Sequence, residues 1–142
     1  MTDHIARAQT RIEAPPEKVW GLLTQPGSDP DIMFGSEVVS DFHEGSPIVW
    51  RGEWEGKPYE DKGEIVEVRP PSRLVLTHFS PMSGEEDVPE NYHRLSFELD
   101  PVDGGTRVTL EQGGNKTEEA AEHSTANWQL MLDGLKKAAE RR

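Results

Sequence analysis

The chain contains no cysteine. Disulfide bonds, thiolate metal sites and cysteine nucleophiles are therefore excluded. Long hydrophobic runs are missing too, since no stretch reaches the roughly 18 consecutive apolar residues of a membrane-spanning helix. The opening residues, Met-Thr-Asp-His-Ile, have neither the basic nor the apolar region of a secretory signal. We therefore expect a soluble cytoplasmic protein with no membrane partner.

Positive charge is scarce. The sequence has 15 Lys and Arg against 27 Asp and Glu, which gives a formal net charge of −12. This charge repels phosphate backbones, so we expect no nucleic-acid partner. The 142 residues fit one domain, and we find no internal repeat, linker or low-complexity run. The expected organisation is therefore a single domain over residues 1–142.

Signatures of catalysis are also missing. The histidines show no metal-ligand spacing such as His-x-x-x-His; they are His4, His43, His78, His93 and His123. No Gly-x-Ser-x-Gly elbow occurs, and neither glycine pair has the strand-to-helix context of a phosphate-binding loop. No pair of carboxylates stands out on an apolar face. The sequence thus predicts no metal site, no cofactor and no nucleophile.

The strongest positive signal is an amphipathic helix expected from Thr117 to Glu140. Its apolar residues recur at i, i+3, i+4 and i+7, and they are Trp128, Met131, Leu132 and Leu135. A lone long helix that follows a sheet must bury this stripe against the sheet. Asn115 is expected to cap the helix, with Glu118 completing a capping box.

Two short helices are expected after a first strand at residues 4–12. Pro15 and Pro16 preset the first turn of one helix, and an apolar face from Val19 to Leu23 follows. Asp29-Pro30-Asp31 is expected to begin a further helical turn that ends at Gly35.

The middle of the chain has the period-2 pattern of strands. Further strands are expected at 36–42, 48–55, 59–68, 73–80, 91–100 and 106–112, with hairpin turns at 56–58 and 103–105. The clearest alternation places Ile48, Trp50, Gly52 and Trp54 on one face. Residues 81–90 are polar and acidic, so they are expected to form an exposed loop.

Four motifs carry a resemblance to a known family. They are IEAPPEKVW at 12–20, GEIVEVRPPSRL at 63–74, GGTRV at 104–108 and NWQLMLDGL at 127–135. In this order and spacing, the chain resembles the START-like or Bet v 1-like (SRPBCC) superfamily, in the branch of the activator of Hsp90 ATPase. One departure is Asn127, where that branch commonly has glycine before the tryptophan.

The resemblance implies an α+β helix-grip fold. In this fold a curved antiparallel sheet of about seven strands wraps around the long C-terminal helix and leaves a cavity between them. The resemblance implies no particular reaction, because relatives include ligand carriers, aromatic-ring cyclases and co-chaperone domains.

The candidate ligand-binding residues are those whose predicted side chains point between sheet and helix. They are Trp50, Gly52, Trp54, Leu76, His78, Phe97, Trp128, Met131 and Leu132. For each apolar member the alternative is plain core packing. For Gly52, either the missing side chain leaves room for a ligand or the glycine marks a bulge or kink. For His78, the alternative is a hydrogen-bonded core or rim histidine.

Three functions remain open at this stage. The leading expectation is a non-enzymatic domain that binds a small, largely apolar molecule beneath the final helix. The second is a protein-interaction domain that resembles the Hsp90 co-chaperone and binds a chaperone or another protein. The third is a cyclase-type enzyme that uses polar cavity residues such as His78 or Tyr92. A monomer and a homodimer both fit the sequence.

Overall fold

An antiparallel sheet and two helices make up the computed structural model, which describes residues 4–25, 27–28, 35–81 and 84–141. The strands are β1 His4–Ile12, β2 Gly27–Ser28, β3 Glu37–Val39, β4 Pro47–Trp54, β5 Lys57–Arg69, β6 Arg73–His78, β7 His93–Val102 and β8 Gly105–Asn115. The helices are α1 Pro16–Leu23 and α2 Glu118–Glu140, and a single 3₁₀ turn covers Pro89–Asn91.

The strand order across the sheet is β1-β8-β7-β6-β5-β4-β3-β2. All pairs are antiparallel, so the predicted α+β helix-grip layout is confirmed, with the two-residue β2 added at one edge. The short helix after the first strand is confirmed as α1. The second short helix was predicted over residues 29–34, which lie outside the described residues.

The apolar stripe of α2 is buried, as the 3.6-residue period predicts. Met131, Leu132 and Leu135 are at most 1% exposed and join the core formed by the inner faces of the central strands. Across that core, Phe97 pairs with Leu110 and Leu99 with Val108 in the β7–β8 ladder. The sheet therefore grips α2 through one continuous apolar cluster.

The start of α2 differs from the prediction. Thr117, not Asn115, is the N-cap, and its Oγ1 accepts the Ala120 N–H at 3.0 Å. Asn115 is still part of β8, where its Nδ2 donates to the carbonyl oxygens of His4 at 2.9 Å and Gln112 at 3.0 Å. The Asn115 side chain is committed to the sheet, so the capping role falls to the next suitable residue.

Side chains of α2 also bond to the backbone of β1 and of Glu13, which follows it, along the edge that faces away from β8. The three bonds are Arg7 N–H to Thr125 Oγ1 at 3.3 Å, Lys136 Nζ to Arg11 O at 2.9 Å, and Glu13 N–H to Glu140 Oε2 at 2.8 Å. Backbone groups that have no neighbouring strand on this side thus obtain partners from the helix.

The β4–β5 hairpin turns earlier than predicted. Its two central residues are Glu55 and Gly56, with φ of 50° and 79°. Positive φ at both positions is the signature of a type I′ turn, the connection that best matches the twist of paired strands. Lys57 and Pro58, which were expected in the turn, therefore belong to β5, and Pro58 pairs with Glu53.

The outer face of the sheet also holds buried apolar side chains. Val75 is fully buried, and Phe79 stacks on Tyr92 with ring centroids 5.0 Å apart. Strict alternation places Tyr92 in solvent, but the Phe79 ring half-buries it instead. Within the described residues, no helix combines the length and hydropathy that crossing a bilayer requires.

Candidate functional site

An apolar pocket lies between the C-terminal end of α1 and the inner face of the sheet. It is lined by Leu22, Leu23, Gln25, Val38, Phe42, Ile48, Trp50, Leu74, Leu76 and Phe97. The whole concavity, which includes open solvent at its mouth, measures about 330 Å³. The cavity itself has a volume of only about 10 Å³. The cavity is therefore about large enough for one water molecule.

Three predicted site residues contribute to this pocket, namely Trp50, Leu76 and Phe97. Met131 and Leu132 do not line it, because both side chains pack fully into the core. The pocket therefore lies against α1, and the expected position beneath α2 is filled at these two residues by the helix's own side chains.

His78 connects the pocket wall to α2. Its ring centroid is 5.1 Å from that of Trp50, at an interplanar angle of 64°, and 6.5 Å from that of Trp128, at 84°. Both contacts have the edge-to-face geometry that aromatic rings prefer. The Trp128 indole N–H donates to Gln112 Oε1, so its polar atom already has a partner.

The polar centre of the site is an Asp–His pair. His78 Nε2 lies 3.0 Å from Asp61 Oδ2, and the two side chains are 20% and 16% exposed. A carboxylate only accepts hydrogen bonds, so His78 Nε2 carries the proton and donates. The second ring nitrogen, Nδ1, is thereby defined as an acceptor in the neutral ring.

Three buried side-chain atoms at this centre have no hydrogen-bond partner among the described residues. They are Trp50 Nε1, His78 Nδ1 and Asp61 Oδ1. A buried polar atom without a partner costs free energy, so native proteins keep few of them. Their concentration around one Asp–His pair marks this centre as a place where a polar group can bind.

Gly52 is explained by Tyr59. The two residues pair across β4 and β5, and a Cβ on Gly52 would come within 2.6 Å of the Tyr59 hydroxyl oxygen. The room left by the missing side chain is therefore taken by an aromatic ring, and the interpretation that it is open to a ligand is wrong. The β4–β5 pairing is regular, so the alternative of a bulge is wrong as well.

The Tyr59 phenol is a further titratable group on this face. Burial, together with the negative charge of Asp61, raises its pKa, while a hydrogen bond with the buried Ser36 acts in the opposite direction. The neutral phenol is thus favoured beside the Asp–His pair. The side chain of Trp54, another predicted site residue, lies outside what the structure describes.

The prediction from sequence missed Asp61 and Tyr59. Both belong to β5, where Asp61 pairs with Trp50 and Tyr59 with Gly52. The period-2 pattern also puts Tyr59, Asp61, Gly63 and Ile65 on one face, so this signal was available. It was hidden because a carboxylate on an inward face contradicts the usual burial preference.

Tyr92 lies in a separate polar cluster on the outer side. Its hydroxyl donates to Asp87 Oδ1 at 2.5 Å, and Asp87 also pairs with Lys62. The hydrogen bond to Asp87 raises the pKa of Tyr92, and the bond to Lys62 is the main reason that the pKa of Asp87 is lowered. Among the described residues, no three His, Asp or Glu side chains converge as metal ligands do.

Several known proteins share this architecture. Residues 13–140 match the family described as activator of Hsp90 ATPase homolog 1-like proteins. The solution structure of ChR145 from Cytophaga hutchinsonii is 50% identical, with a TM-score of 0.81 over 96% of this chain and 93% of the other.

Two more distant structures share the fold. MLL2253 from Mesorhizobium loti is 22% identical, with a TM-score of 0.74 over 94% of this chain and 95% of the other. A protein solved as the Aha1 dimer from Colwellia psychrerythraea is 22% identical, with a TM-score of 0.71 over 99% and 97% of the two chains. No match was found among functionally curated proteins.

The gripped helix, the strand order and the apolar pocket beside α1 define a helix-grip protein of the Bet v 1-like class. Within that class, the chain belongs to the family of activator of Hsp90 ATPase homolog 1-like proteins, whose match spans 128 of its 142 residues, counted from residue 13 to 140. Such a domain serves ligand binding or interaction in general.

Proposed function

We propose that this domain binds a small, largely apolar molecule in the pocket between α1 and the sheet. The observation that carries the proposal is the junction of two surfaces at Trp50. One side of Trp50 lines an apolar pocket, and its ring also contacts the Asp61–His78 pair, where buried polar atoms lack partners. An apolar wall with a few convergent polar groups is the usual form of a small-molecule site.

The charge of the chain disfavours an anionic ligand. The net charge is −12, and Asp61 is the strand partner of Trp50, which lines the pocket. An anionic molecule would be repelled both at long range and at the Asp61 carboxylate. An apolar molecule without negative charge meets neither cost.

Binding requires the pocket to enlarge. Its cavity of about 10 Å³ holds about one water, so a ligand must displace side chains. The lining residues at the end of α1 are best placed to move, because Leu22 is half-buried and Gln25 is exposed. The residues on the sheet side, such as Leu74 and Phe97, are held in the core.

A matched pair of variants tests the site. Val38 lines the pocket, whereas Val39, its neighbour in β3, is 43% exposed and points the other way. The neutral dye N-phenyl-1-naphthylamine, titrated into the wild-type protein, should show saturable fluorescence enhancement. Val38→Phe should abolish this signal, and Val39→Phe should leave it unchanged.

Circular dichroism must show that both variants are folded, since overpacking at Val38 costs about 1–3 kcal/mol. Equal dye binding by folded Val38→Phe and Val39→Phe would reject the pocket as the binding site. Native mass spectrometry of protein purified from its own host adds a direct readout, because a retained ligand appears as a defined added mass.

A second candidate function is proton transfer by His78, which contacts the pocket wall at Trp50. It is favoured by the 3.0 Å contact between His78 and Asp61, in which the carboxylate orients a histidine whose other nitrogen is a potential base. In the test, a ligand that the protein retains from its host is incubated with the protein in D₂O. Deuterium incorporation that His78→Gln removes would support catalysis, and a lack of incorporation would reject it for that ligand.

A further inference from the structure

We infer that Trp50, His78 and Asp61 form a hydrogen-bonding anchor for a neutral hydroxyl group on the apolar ligand, such as that of a phenol or an alcohol. This inference rests on the proposed function, because Trp50, one member of the anchor, lines the same pocket. It adds the chemical class of the ligand and the way in which the ligand is oriented.

The three unpartnered atoms differ in hydrogen-bonding character. Trp50 Nε1 is a donor only, and Trp50 is 4% exposed. In the neutral ring, His78 Nδ1 is an acceptor, since Nε2 donates to Asp61. Asp61 Oδ1 is a second acceptor on the same pair. The anchor therefore offers one buried donor beside two buried acceptors.

These three atoms belong to adjacent side chains. The Trp50 and His78 ring centroids are 5.1 Å apart, and Trp50 and Asp61 are paired residues of neighbouring strands. The Trp128 ring also packs against His78, with ring centroids 6.5 Å apart, but its N–H is bound to Gln112. Only the three atoms of the anchor remain to be satisfied among these side chains.

Ligand groups differ in how well they match the one donor and two acceptors of the anchor. A carbonyl or ether oxygen accepts from Trp50 but leaves both acceptors unmet. An ammonium group donates to the acceptors but cannot accept from Trp50. A carboxylate cannot donate and carries a charge that Asp61 repels. A hydroxyl group accepts through its lone pairs and donates through its hydrogen. It can therefore bond to the Trp50 donor and to one of the acceptors on His78 and Asp61, and it carries no charge.

The experiment compares three probes by isothermal titration calorimetry with the whole protein. They are 1-naphthol, naphthalene and 1-methoxynaphthalene. If only apolar contact mattered, naphthalene would bind at least as tightly as the more polar 1-naphthol. With the anchor, 1-naphthol should bind about tenfold more tightly than either comparator. The ether is larger and naphthalene smaller, so this order cannot arise from size.

Variants locate the preference. Trp50→Phe keeps an aromatic ring and removes the N–H, and His78→Phe removes the acceptor, so each should reduce the preference for 1-naphthol several-fold. His123→Phe, at an exposed position of α2, is the matched control and should retain it. Loss of preference in the control as well would place the hydroxyl site elsewhere.

Nuclear magnetic resonance gives a readout that does not depend on folding of a variant. On addition of 1-naphthol to wild-type protein, the Trp50 indole N–H should shift downfield, and the His78 ¹⁵N shifts should show a protonated Nε2 and an unprotonated Nδ1. Tight but equal binding of all three probes would overturn the anchor and leave the pocket intact. Failure of all three probes to bind would overturn both the proposed function and the anchor.

Discussion

Tyr59 lies directly across from Gly52, and its ring occupies the position that a side chain on Gly52 would need. The two residues therefore act as a unit, because the Tyr59 ring fits only where residue 52 lacks a side chain. This pairing brings the Tyr59 phenol onto the same face as Asp61, so the smallest residue of β4 shapes the polar side of the site.

The unit can be tested by a double-mutant cycle. Gly52→Ala places a Cβ 2.6 Å from the Tyr59 hydroxyl oxygen, so the ring must shift, and we expect a loss of about 1–2 kcal/mol in the free energy of unfolding. In a Tyr59→Ala background the same change should be neutral or stabilising, since alanine suits a strand better than glycine. Urea denaturation of the four proteins gives the coupling free energy. A coupling near zero would show that the two residues are independent.

Gly63 is predicted to tolerate substitution much less. A Cβ there would lie 1.7 Å from the carbonyl oxygen of Thr77, a backbone atom that cannot rotate away. Gly63→Ala should therefore cost at least about 3 kcal/mol or prevent folding. Gly21→Ala is the control, because its Cβ meets nothing within 4 Å and α1 should gain up to about 1 kcal/mol. Similar thermal unfolding midpoints for both variants would contradict this account of β5.

Two leucines on α2 test the grip itself. Leu132 is 0% exposed, whereas Leu130 is 62% exposed on the same helix. Leu132→Ala should cost about 2–5 kcal/mol from lost burial and the cavity that remains. Leu130→Ala should stay within about 0.5 kcal/mol, since surface changes are usually small. Denaturant unfolding of both variants provides the comparison, and equal losses would mean that the orientation of α2 is wrong.

Truncation of Trp128 to alanine should destabilise the protein less than truncation of a fully buried tryptophan. It is half-buried at the edge of the core, and its N–H is bound to Gln112. We therefore expect Trp128→Ala to destabilise the protein less than Leu132→Ala, in contrast to the usual order of side-chain size. The same denaturation series measures this order.

The two tyrosines offer a test by alkaline titration. Both have a raised pKa, Tyr59 mainly from burial and Tyr92 mainly from its hydrogen bond to Asp87. A raised folded pKa means that the associated stability is full below the unfolded value near 10 and is lost as pH rises through the folded value. Phenolate absorbance of Tyr59→Phe protein reports Tyr92 alone, because the chain has only 2 tyrosines.

In that Tyr59→Phe background, Asp87→Asn should lower the Tyr92 pKa towards its ordinary value, since the carboxylate that holds the phenolic proton is removed. Glu86→Gln changes an adjacent charge in the same loop and serves as the control. If Asp87→Asn left the Tyr92 pKa unchanged, the hydrogen bond between Tyr92 and Asp87 would not form in solution.

Local patterns predicted the parts of the fold that depend on burial. The 3.6-residue period of α2 and the alternation around Ile48 and Trp50 both reflect which face meets the core, and the structure confirms them. The position of the β4–β5 turn was not predicted, because positive φ at Glu55 is a backbone property that its side chain does not indicate.

The site was harder to predict than the fold. Trp50 and His78 were expected to face inwards, and their rings are in contact. Asp61 was missed because a carboxylate is not expected on an inward face, and its position opposite Trp50 also depends on the register of β4 and β5, which the turn sets. The capping assignment at Asn115 failed for a similar reason, since the length of β8 decides whether that side chain is free.

Hydrogen bonds join Thr125, Lys136 and Glu140 of α2 to the outer edge of the sheet, and this affects association with other chains. An outer strand normally presents open backbone groups on which another chain can add a strand. Here the backbone positions at Arg7, Arg11 and Glu13 are already engaged by α2. A second chain could pair with the backbone at these positions only by displacing the side chains of α2 that hold them. The gripped helix thus protects the sheet from templated growth at this edge.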